Sequence, residues 1–340
     1  MYKILDVNDK MWDEYLEKFP DKLQDIYYTS NYYRLYEENG DGKARLFVYE
    51  EKEKLGIYPF LINEIKCNLD EKYYDIQSAY GYGGPLIACD SKEFAKKFEN
   101  EFLKFCFENN IIAEFIRFHP LVKNENVFCK NITKSHNRNT VYLDLNKGIQ
   151  RIWNEDIKSK NRNMIRKAEK NNLIVEVSRD FKKFKEIYLK TMANVNAQEY
   201  YYFSDNYYDN IENSKDCILL DVKMDGEIIA SAVFIYYGEY FHYHLSGSIK
   251  KYCSFAPNNL LIWEAIKIAV CNGNKFFHLG GGLTDSLDDS LFKFKNSFSK
   301  EIADFYIGKR IHNKAVYEQL IYEWEKNNNR KATLFLQYRY

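Results

Sequence analysis

The sequence predicts a mixed α/β protein, of the α+β kind, with two domains. Hydrophobic periodicity alternates between strand-like and helix-like runs along the whole chain. The chain has 340 residues, which corresponds to about two domains at ~150 residues each, and 46% of its residues are apolar. That apolar fraction supports a sizeable core and excludes disorder as the general state. Each half shows the same order of helices, strands, a further helix and a further strand, which suggests a duplicated module.

The predicted elements follow from this periodicity. In the first half they are helices at 9–19, 30–39 and 92–108, and strands at 46–49, 55–62 and 111–118. In the second half they are helices at 157–171, 180–193 and 258–272, and strands at 217–223, 227–237, 240–246 and 275–279. The most favourable boundary lies near residues 145–149. Because no linker rich in proline, glycine or serine separates the halves, we expect two closely packed domains.

Charge and cysteine content limit the function. Lys plus Arg and Asp plus Glu are both 49, which argues against a polyanion-binding surface over the whole molecule and leaves room for a local basic stripe. The longest apolar run, 228–237, is much shorter than the ~20 residues of a spanning helix. The seven cysteines form no CxxC pair, so neither a zinc cage nor a disulfide scaffold is expected. Without a signal-peptide pattern, we expect a cytoplasmic protein with reduced thiols.

One basic stripe does occur, in the predicted helix at 157–171. Lys158, Arg162, Arg166 and Lys170 follow one another at i, i+4 and therefore share one helical face. Residues 158–170 carry six cations and one carboxylate. This face could hold phosphates of an RNA backbone, or it could be an ordinary solvated surface.

The strand at 240–246 carries two histidines. Its alternation predicts His242 and His244 on one face and Tyr243 on the other. Such a pair could supply a base near neutral pH, or it could form a hydrogen-bonded, half-buried pair. Asn258 lies where the next helix begins, and free N–H groups there suit an anion or a developing oxyanion. No acidic or cysteine ligands accompany the histidines, and we expect no metal site.

A triple glycine, residues 280–282, follows the last predicted strand of this half. Glycine there permits close backbone approach, but the sequence matches neither a Walker loop nor a dinucleotide-binding fingerprint. In the segment after it, Lys293 and Lys295 are two residues apart. On a helix they point in different directions, so only one is expected to face a cleft.

These segments, in this order, resemble the FemABX family of peptidyl-bridge aminoacyltransferases, in the GNAT acyltransferase superfamily. The matching pieces are residues 117–120, 158–170, 245–248, 256–257, 279–281, 288–291 and 294–298. The resemblance implies two tandem GNAT-like domains, residues 1–145 and 146–312, with a cleft between them. It further implies that residues 313–340 return to pack on the first domain.

The resemblance also implies an activity. Family members transfer an aminoacyl group from aminoacyl-tRNA, the co-substrate, to a side-chain amine of a peptidoglycan precursor, and no cofactor or metal is expected. The lysine of the family's Phe-Lys pair falls at Lys295, for which we expect a role in stabilising negative charge or the tRNA 3′ end. We assign catalysis to Lys295 and His244, and tRNA phosphate binding to the basic stripe. Residues expected to bind substrate are Phe294, His119, Arg117, Tyr82, Tyr202, Tyr243 and Asn258.

The chain also departs from the family. The two cations that hold a UDP-sugar diphosphate in some members fall near Glu37 and Tyr202. Aromatic side chains around Tyr82 and Tyr202 suit sugar rings and apolar chains, so we expect a lipid-linked or other non-nucleotide amine as acceptor, with peripheral membrane contact as one option. The alternative is that these tyrosines belong to the core or reflect codon bias, and that another cation replaces the missing pair. The sequence indicates no oligomeric state.

Two other functions stay open. One is an acyl-coenzyme A dependent N-acyltransferase acting on an amino sugar or small amine, although the loop at 250–257 lacks the glycine typical of coenzyme A binding. The other is a non-catalytic RNA or cell-wall adaptor that keeps the fold without the chemistry.

Overall fold

The computed structural model describes residues 2–67 and 69–340, which form two compact units. The first unit contains residues up to 137 together with residues 305–340, and the second contains residues 138–304. Both units mix helices with sheet, so the predicted α/β class is confirmed. Within the described residues, no helix combines the length and the apolar character needed to span a membrane.

The first unit begins with a sheet and three helices. Its elements are β1 (Tyr2–Asp6), α1 (Met11–Glu17), 3-10 turns at Asp21–Leu23 and Ile26–Tyr28, α2 (Ser30–Asn39), β2 (Lys43–Glu51), β3 (Lys54–Glu64), β4 (Tyr74–Gln77), β5 (Leu86–Ile87), α3 (Lys92–Glu108) and β6 (Ile111–Arg117). The strands are ordered β1-β2-β3-β4-β6, with β4 and β6 parallel and the other neighbours antiparallel. Ser91 caps α3, and phenylalanines of α3 spaced four residues apart pack on this sheet.

The second unit also combines a sheet with helices. Its elements are β7 (Thr133–Asp144), a 3-10 turn at Leu145–Lys147, α4 (Ile149–Arg151), a π-helical turn at Ile152–Asp156, α5 (Ser159–Lys170), β8 (Ile174–Ser178), α6 (Phe181–Asn194), a 3-10 turn at Glu199–Tyr201, α7 (Asp205–Glu212), β9 (Cys217–Met224), β10 (Glu227–Tyr237), β11 (Tyr240–Ser248), a 3-10 turn at Lys250–Phe255, α8 (Pro257–Cys271), β12 (Phe276–Gly281) and α9 (Ser290–Lys295). The strand order is β7-β12-β11-β10-β9-β8, with β11 and β12 parallel. Helix α8 is buried along most of its length in the core of this unit.

The chain then returns to the first unit through β13 (Ile302–Ile311), α10 (Lys314–Asn328) and a 3-10 turn at Gln337–Arg339. From Ile307 onward β13 pairs with β6 in antiparallel register. Leu320 and Leu336 pack into a cluster with Ile112 of β6. Arg339 also forms an ion pair with the buried Asp75, so the last 36 residues are an integral part of the first unit.

A buried ionic network ties β13 to α3 and β6. The Arg310 Nη2 donates to Glu99 Oε1 at 2.8 Å, and its Nε lies 4.0 Å from Glu114 Oε2. His312 Nε2 is 2.9 Å from the same Glu114 oxygen. Burial alone would raise the pKa of Glu114, but Arg310 and His312 together lower it. The carboxylate is therefore charged, and it compensates a buried guanidinium.

Candidate functional site

Lys295, the last residue of α9, lies in the second unit with only 8% of its surface exposed. Its Nζ donates a hydrogen bond to the Gly281 carbonyl oxygen at 2.7 Å. The same Nζ is 5.8 Å from the centre of the Tyr243 ring, on β11. Asp289 fixes the start of α9 by accepting a hydrogen bond from the Phe292 N–H at 2.9 Å. Lys295 is therefore held between β11 and the triple glycine at residues 280–282, which we call the glycine loop.

The protonation of Lys295 is unusual for a lysine. Burial lowers the pKa of its amine to about 7, with a further lowering by Arg138 and a partial opposing effect of Asp289. Near neutral pH the amine is present in both charged and neutral forms. It can therefore donate to a developing oxyanion as an ammonium, or accept a proton as a free amine.

Positions 281 and 282 require glycine because the side chains of Arg138 and Asp289 lie close to the backbone there. A Cβ on Gly281 would lie 2.7 Å from Arg138 Cδ and 2.9 Å from the Asn139 carbonyl oxygen. A Cβ on Gly282 would collide with the Asp289 carboxylate. Gly280 has a φ of 75°, in the left-handed region that favours glycine. The sequence identified the glycines, but not the two side chains that require them.

His244 has a different environment from the one expected. The pairing of β10 with β11 shifts register, so that Val233 faces Leu245 and Phe234 faces Tyr243, and His244 is the extra residue of a bulge. Its Nε2 is 2.5 Å from the Tyr207 hydroxyl of α7. Burial, with a smaller effect of His242, lowers the pKa of His244 to about 3. The structure thus favours Lys295 over His244 as the group that exchanges a proton near neutral pH, and a catalytic role of His244 stays a prediction.

Three predicted substrate-binding residues lie in the first unit. His119 is fully buried: its Nε2 is 2.6 Å from Asp25 Oδ2, and its Nδ1 accepts from the N–H groups of Leu121 and Val122. These bonds hold the turn after β6. The other two are also packed within this unit, Arg117 with its Nη1 3.3 Å from the Ser78 carbonyl and Tyr82 against the Phe305 ring. Their roles toward a substrate stay predictions.

The remaining predicted substrate residues lie in the second unit. Tyr243 is near Lys295, and burial raises its pKa to about 12, which keeps its hydroxyl neutral. Phe294 packs edge-on against Phe298, with 5.5 Å between the ring centres. Asn258 donates to the Ser248 hydroxyl at 3.3 Å, at the start of α8. Tyr202 is 42% exposed and follows a short 3-10 turn.

Helix α5 carries three cations of the predicted phosphate-binding stripe, whereas Lys158 is the residue that precedes the helix, and the four cations are not equivalent. Arg162 donates to the carbonyl oxygens of Trp153, inside the π-helical turn, and of Ile157, just after it, so it holds that turn closed. The Arg166 guanidinium lies 5.4 Å from the centre of the Trp153 ring. Lys158 Nζ donates to Asn296 Oδ1 at 2.7 Å, whereas Lys170 is exposed. The stripe thus combines a structural arginine with exposed cations.

One group of side chains in the first unit has the composition of a metal site. Ligand atoms of Cys106, Glu114 and His312 all lie within 4.8 Å of one another. Two observations oppose a cation there: His312 already contacts the Glu114 carboxylate, and the Arg310 guanidinium faces the same oxygen. Burial also raises the pKa of the Cys106 thiol well above its ordinary value, which disfavours the thiolate that binds metals.

Comparison with known proteins identifies the region around Lys295. Residues 211–317, which contain β11, α8, the glycine loop and α9, match the FemAB family. We call residues 211–317 the FemAB segment, after the family whose model they match. The resemblance predicted from the sequence is confirmed, and Lys295, Asp289 and His244 all lie inside the FemAB segment, whereas Arg138 and helix α5 lie outside it.

A curated relative and three solved structures are similar to the chain. A UDP-N-acetylmuramoylpentapeptide-lysine N(6)-alanyltransferase of Weissella viridescens is 29% identical over 99 residues, 28% of this chain and 29% of that protein. The match therefore spans less than a third of that enzyme. The crystal structure of FemX gives a TM-score of 0.73 at 16% identity, over 93% of this chain and 99% of that chain.

The other two structures are more distant. L-PGS from Bacillus licheniformis gives a TM-score of 0.58 at 12% identity, over 90% of this chain and 92% of that chain. A tandem GNAT protein from the clavulanic acid biosynthesis pathway gives 0.50 at 7% identity, over 92% of this chain and 98% of that chain. At these identities the structures show the fold alone, and they confirm the tandem GNAT-like class.

Proposed function

We propose that the protein transfers an aminoacyl group from an aminoacyl-tRNA to an amine of a peptidoglycan precursor. The observation that carries this proposal is the buried Lys295, whose pKa is lowered to about 7, inside the FemAB segment. The alanyltransferase that is similar to part of this chain acts on a UDP-N-acetylmuramoylpentapeptide lysine, which supports the same class of acceptor.

The chemistry needs one group such as Lys295. The acceptor amine attacks the ester carbonyl, a C–N bond forms, and the carbonyl oxygen becomes an oxyanion. The C–O bond to the tRNA ribose then breaks, the new amide nitrogen loses a proton, and the ribose oxygen gains one. A Lys295 ammonium stabilises the oxyanion, and an amine that titrates near neutral pH can also give and recover the proton.

The acceptor we propose is lipid-linked, and not a soluble UDP-linked precursor. Glu37 Oε1 is 3.0 Å from Lys43 Nζ and its Oε2 accepts from the Ala44 N–H at 2.7 Å, so this position presents a carboxylate that is already engaged. The second expected cation position holds the exposed Tyr202. Such an acceptor would bring the protein to the cytoplasmic membrane surface, where both substrates are available.

A transfer assay tests the function. Purified protein is mixed with tRNA charged with a labelled amino acid and with either the lipid-linked or the UDP-linked pentapeptide, and labelled precursor is detected by mass spectrometry. We expect transfer to the lipid-linked acceptor, and no micromolar affinity for the UDP-linked one by calorimetry. Transfer that needs a coenzyme A thioester, together with thermal stabilisation by coenzyme A, would replace our proposal with the N-acyltransferase.

The Lys295→Met variant distinguishes a non-catalytic adaptor from an enzyme. If the protein binds tRNA but neither wild type nor Lys295→Met transfers the label to any amine acceptor offered, the fold serves binding only. Transfer by wild type and not by Lys295→Met supports the enzyme.

A further inference from the structure

We infer that Arg138 and Asp289 act together as positioning residues for Lys295, holding the loop that binds its amine and balancing its charge. This inference rests on the proposed function, because it concerns how Lys295 is prepared for the transfer. Neither residue was assigned a role from the sequence. Arg138 lies on β7, and Asp289 lies at the start of α9.

Hydrogen bonds connect the end of β12 and the loop after it to Lys295, Arg138 and Asp289. The Gly281 carbonyl accepts from Lys295 Nζ at 2.7 Å. The next two carbonyls, of Gly282 and Leu283, accept from Arg138 Nη1 at 2.6 and 3.1 Å. From the other side, Asp289 Oδ2 accepts from the Leu283 and Thr284 N–H groups at 3.1 and 3.2 Å. The position of the Gly281 carbonyl, and so of the Lys295 amine, is therefore set by two charged side chains.

The sheet itself brings Arg138 to this loop. Gly281 is paired with Thr140 of β7, two residues from Arg138. The aliphatic part of Arg138 occupies the space where a Cβ of Gly281 would be, and Asp289 occupies that of Gly282. These glycines let the guanidinium and the carboxylate approach the backbone from two sides.

Arg138 and Asp289 also control the charge of Lys295 electrostatically. The charged groups that act on Lys295 have opposite signs: Arg138 lowers the pKa of the amine, and Asp289 raises it. Tyr243, on β11, stays neutral because burial raises its pKa. Lys293, also on α9, is paired with the exposed Asp288 at 2.8 Å. Removing Arg138 should therefore favour the ammonium, and removing Asp289 should favour the free amine.

The test measures the titration of Lys295 directly, so that it does not depend on transfer. Protein labelled with ¹³C at the lysine Cε is titrated by NMR, and the Lys295 resonance is assigned by its loss in Lys295→Met. We expect Arg138→Met to move the midpoint up and Asp289→Asn to move it down, each by roughly half to one pH unit, which is about a three- to tenfold change in amine ionisation. Arg138→Lys keeps the charge and should leave the midpoint within about 0.3 unit while lowering kcat, because one ammonium cannot hold two carbonyls as the guanidinium does.

The outcomes are distinct. Midpoints that move in the same direction, or that stay fixed in folded Arg138→Met and Asp289→Asn, overturn the inference. If Arg138→Met does not fold, a downward shift in Asp289→Asn with an unchanged midpoint in Arg138→Lys supports it, and any other pair of results overturns it. Where transfer is observed, its pH–rate midpoint should move with the NMR midpoint. A protein that shows the opposed NMR shifts but no transfer would contradict the proposed function alone.

Discussion

Two buried cations, one in each unit, have opposite environments. Arg310, 1% exposed, contacts the Glu99 carboxylate at 2.8 Å and faces a second carboxylate, that of Glu114. Lys295, 8% exposed, has a neutral backbone carbonyl as its hydrogen-bond acceptor and experiences the like charge of Arg138. The charge of Arg310 is compensated by two carboxylates, whereas the charge of Lys295 is stabilised only in part, by a carbonyl dipole.

The two environments suit Arg310 to a structural role and Lys295 to the chemical role that we propose for it. A guanidinium between carboxylates stays charged at all relevant pH values and joins three elements, α3, β6 and β13. An amine without a full counter-charge loses its proton near neutral pH, which is of little use for holding a fold but is what proton transfer requires. The predictions below test this contrast, beginning with the largest effect.

Arg310→Met should be the most damaging substitution. It leaves Glu99 and Glu114 buried without their cation, and breaking a buried ion pair in this way costs about 3–5 kcal/mol. Denaturant unfolding of the variant measures the loss. Lys309→Met, the adjacent and less buried position on β13, is the control and should change the free energy of unfolding by less than about 1 kcal/mol. Equal effects of the two variants would contradict the structural role of Arg310.

Lys295→Met, in contrast, should lower the transfer activity without lowering the stability. We expect transfer to fall by about 10²–10³-fold, the usual effect of removing one group that stabilises an oxyanion. The free energy of unfolding should stay the same or rise, because a poorly compensated buried charge is removed. Transfer rate and melting temperature are measured on the same preparation. Lys293→Met is the matched control, and wild-type transfer by Lys295→Met would refute the assignment.

Lys295 and Glu114 should affect the free energy of unfolding in different pH ranges. The pKa of Lys295, about 7, lies below the ~10.4 of an unfolded lysine, so the unfolded chain binds more protons between these values. The stability difference between wild type and Lys295→Met should therefore grow in favour of wild type from pH 7 to about 10. The folded state lowers the pKa of Glu114, so its carboxylate stabilises the fold at neutral pH, and this stabilisation is lost as the pH falls below about 4. Denaturant midpoints measured from below pH 4 up to pH 10 check both signs, and a difference that is flat from pH 7 to 10 would argue against a titrating Lys295.

The smallest effects are expected on helix α5. Replacing the exposed Lys167 and Lys170 with Glu should weaken tRNA binding several-fold, and wild-type affinity should fall steeply with salt. Arg162→Glu should instead lower the melting temperature, since Arg162 binds the carbonyls of the preceding turn. Filter binding at two salt concentrations, with thermal unfolding alongside, separates these outcomes. Salt-insensitive binding would identify α5 as a solvated surface.

The sequence predicts best what depends on local pattern. Helix α3 occupies the predicted residues 92–108, because its serine cap and its phenylalanine spacing are both visible in the sequence. The π-helical turn before α5 is not visible, and so the stripe pattern could not distinguish Arg162 from its neighbours.

The features of the site that the sequence did not predict depend on contacts between residues far apart in the chain. Family resemblance indicated Lys295, but Arg138 is 144 residues from Gly282 and meets it only through the pairing of β7 with β12. His119 is likewise fixed by Asp25, 94 residues away. Such contacts follow from topology, which periodicity does not specify.

The discontinuous first unit has a consequence for synthesis. Residues 138–304 are translated before the part that begins at residue 305, which at about 5–20 residues per second takes roughly ten seconds or more. During that interval β6 has no β13 partner, and Glu99 and Glu114 have no Arg310. The contiguous second unit can meanwhile fold as it emerges from the ribosome. The nascent chain can thus bury Lys295 first, while its N-terminal part keeps one strand edge unpaired and accessible to chaperones.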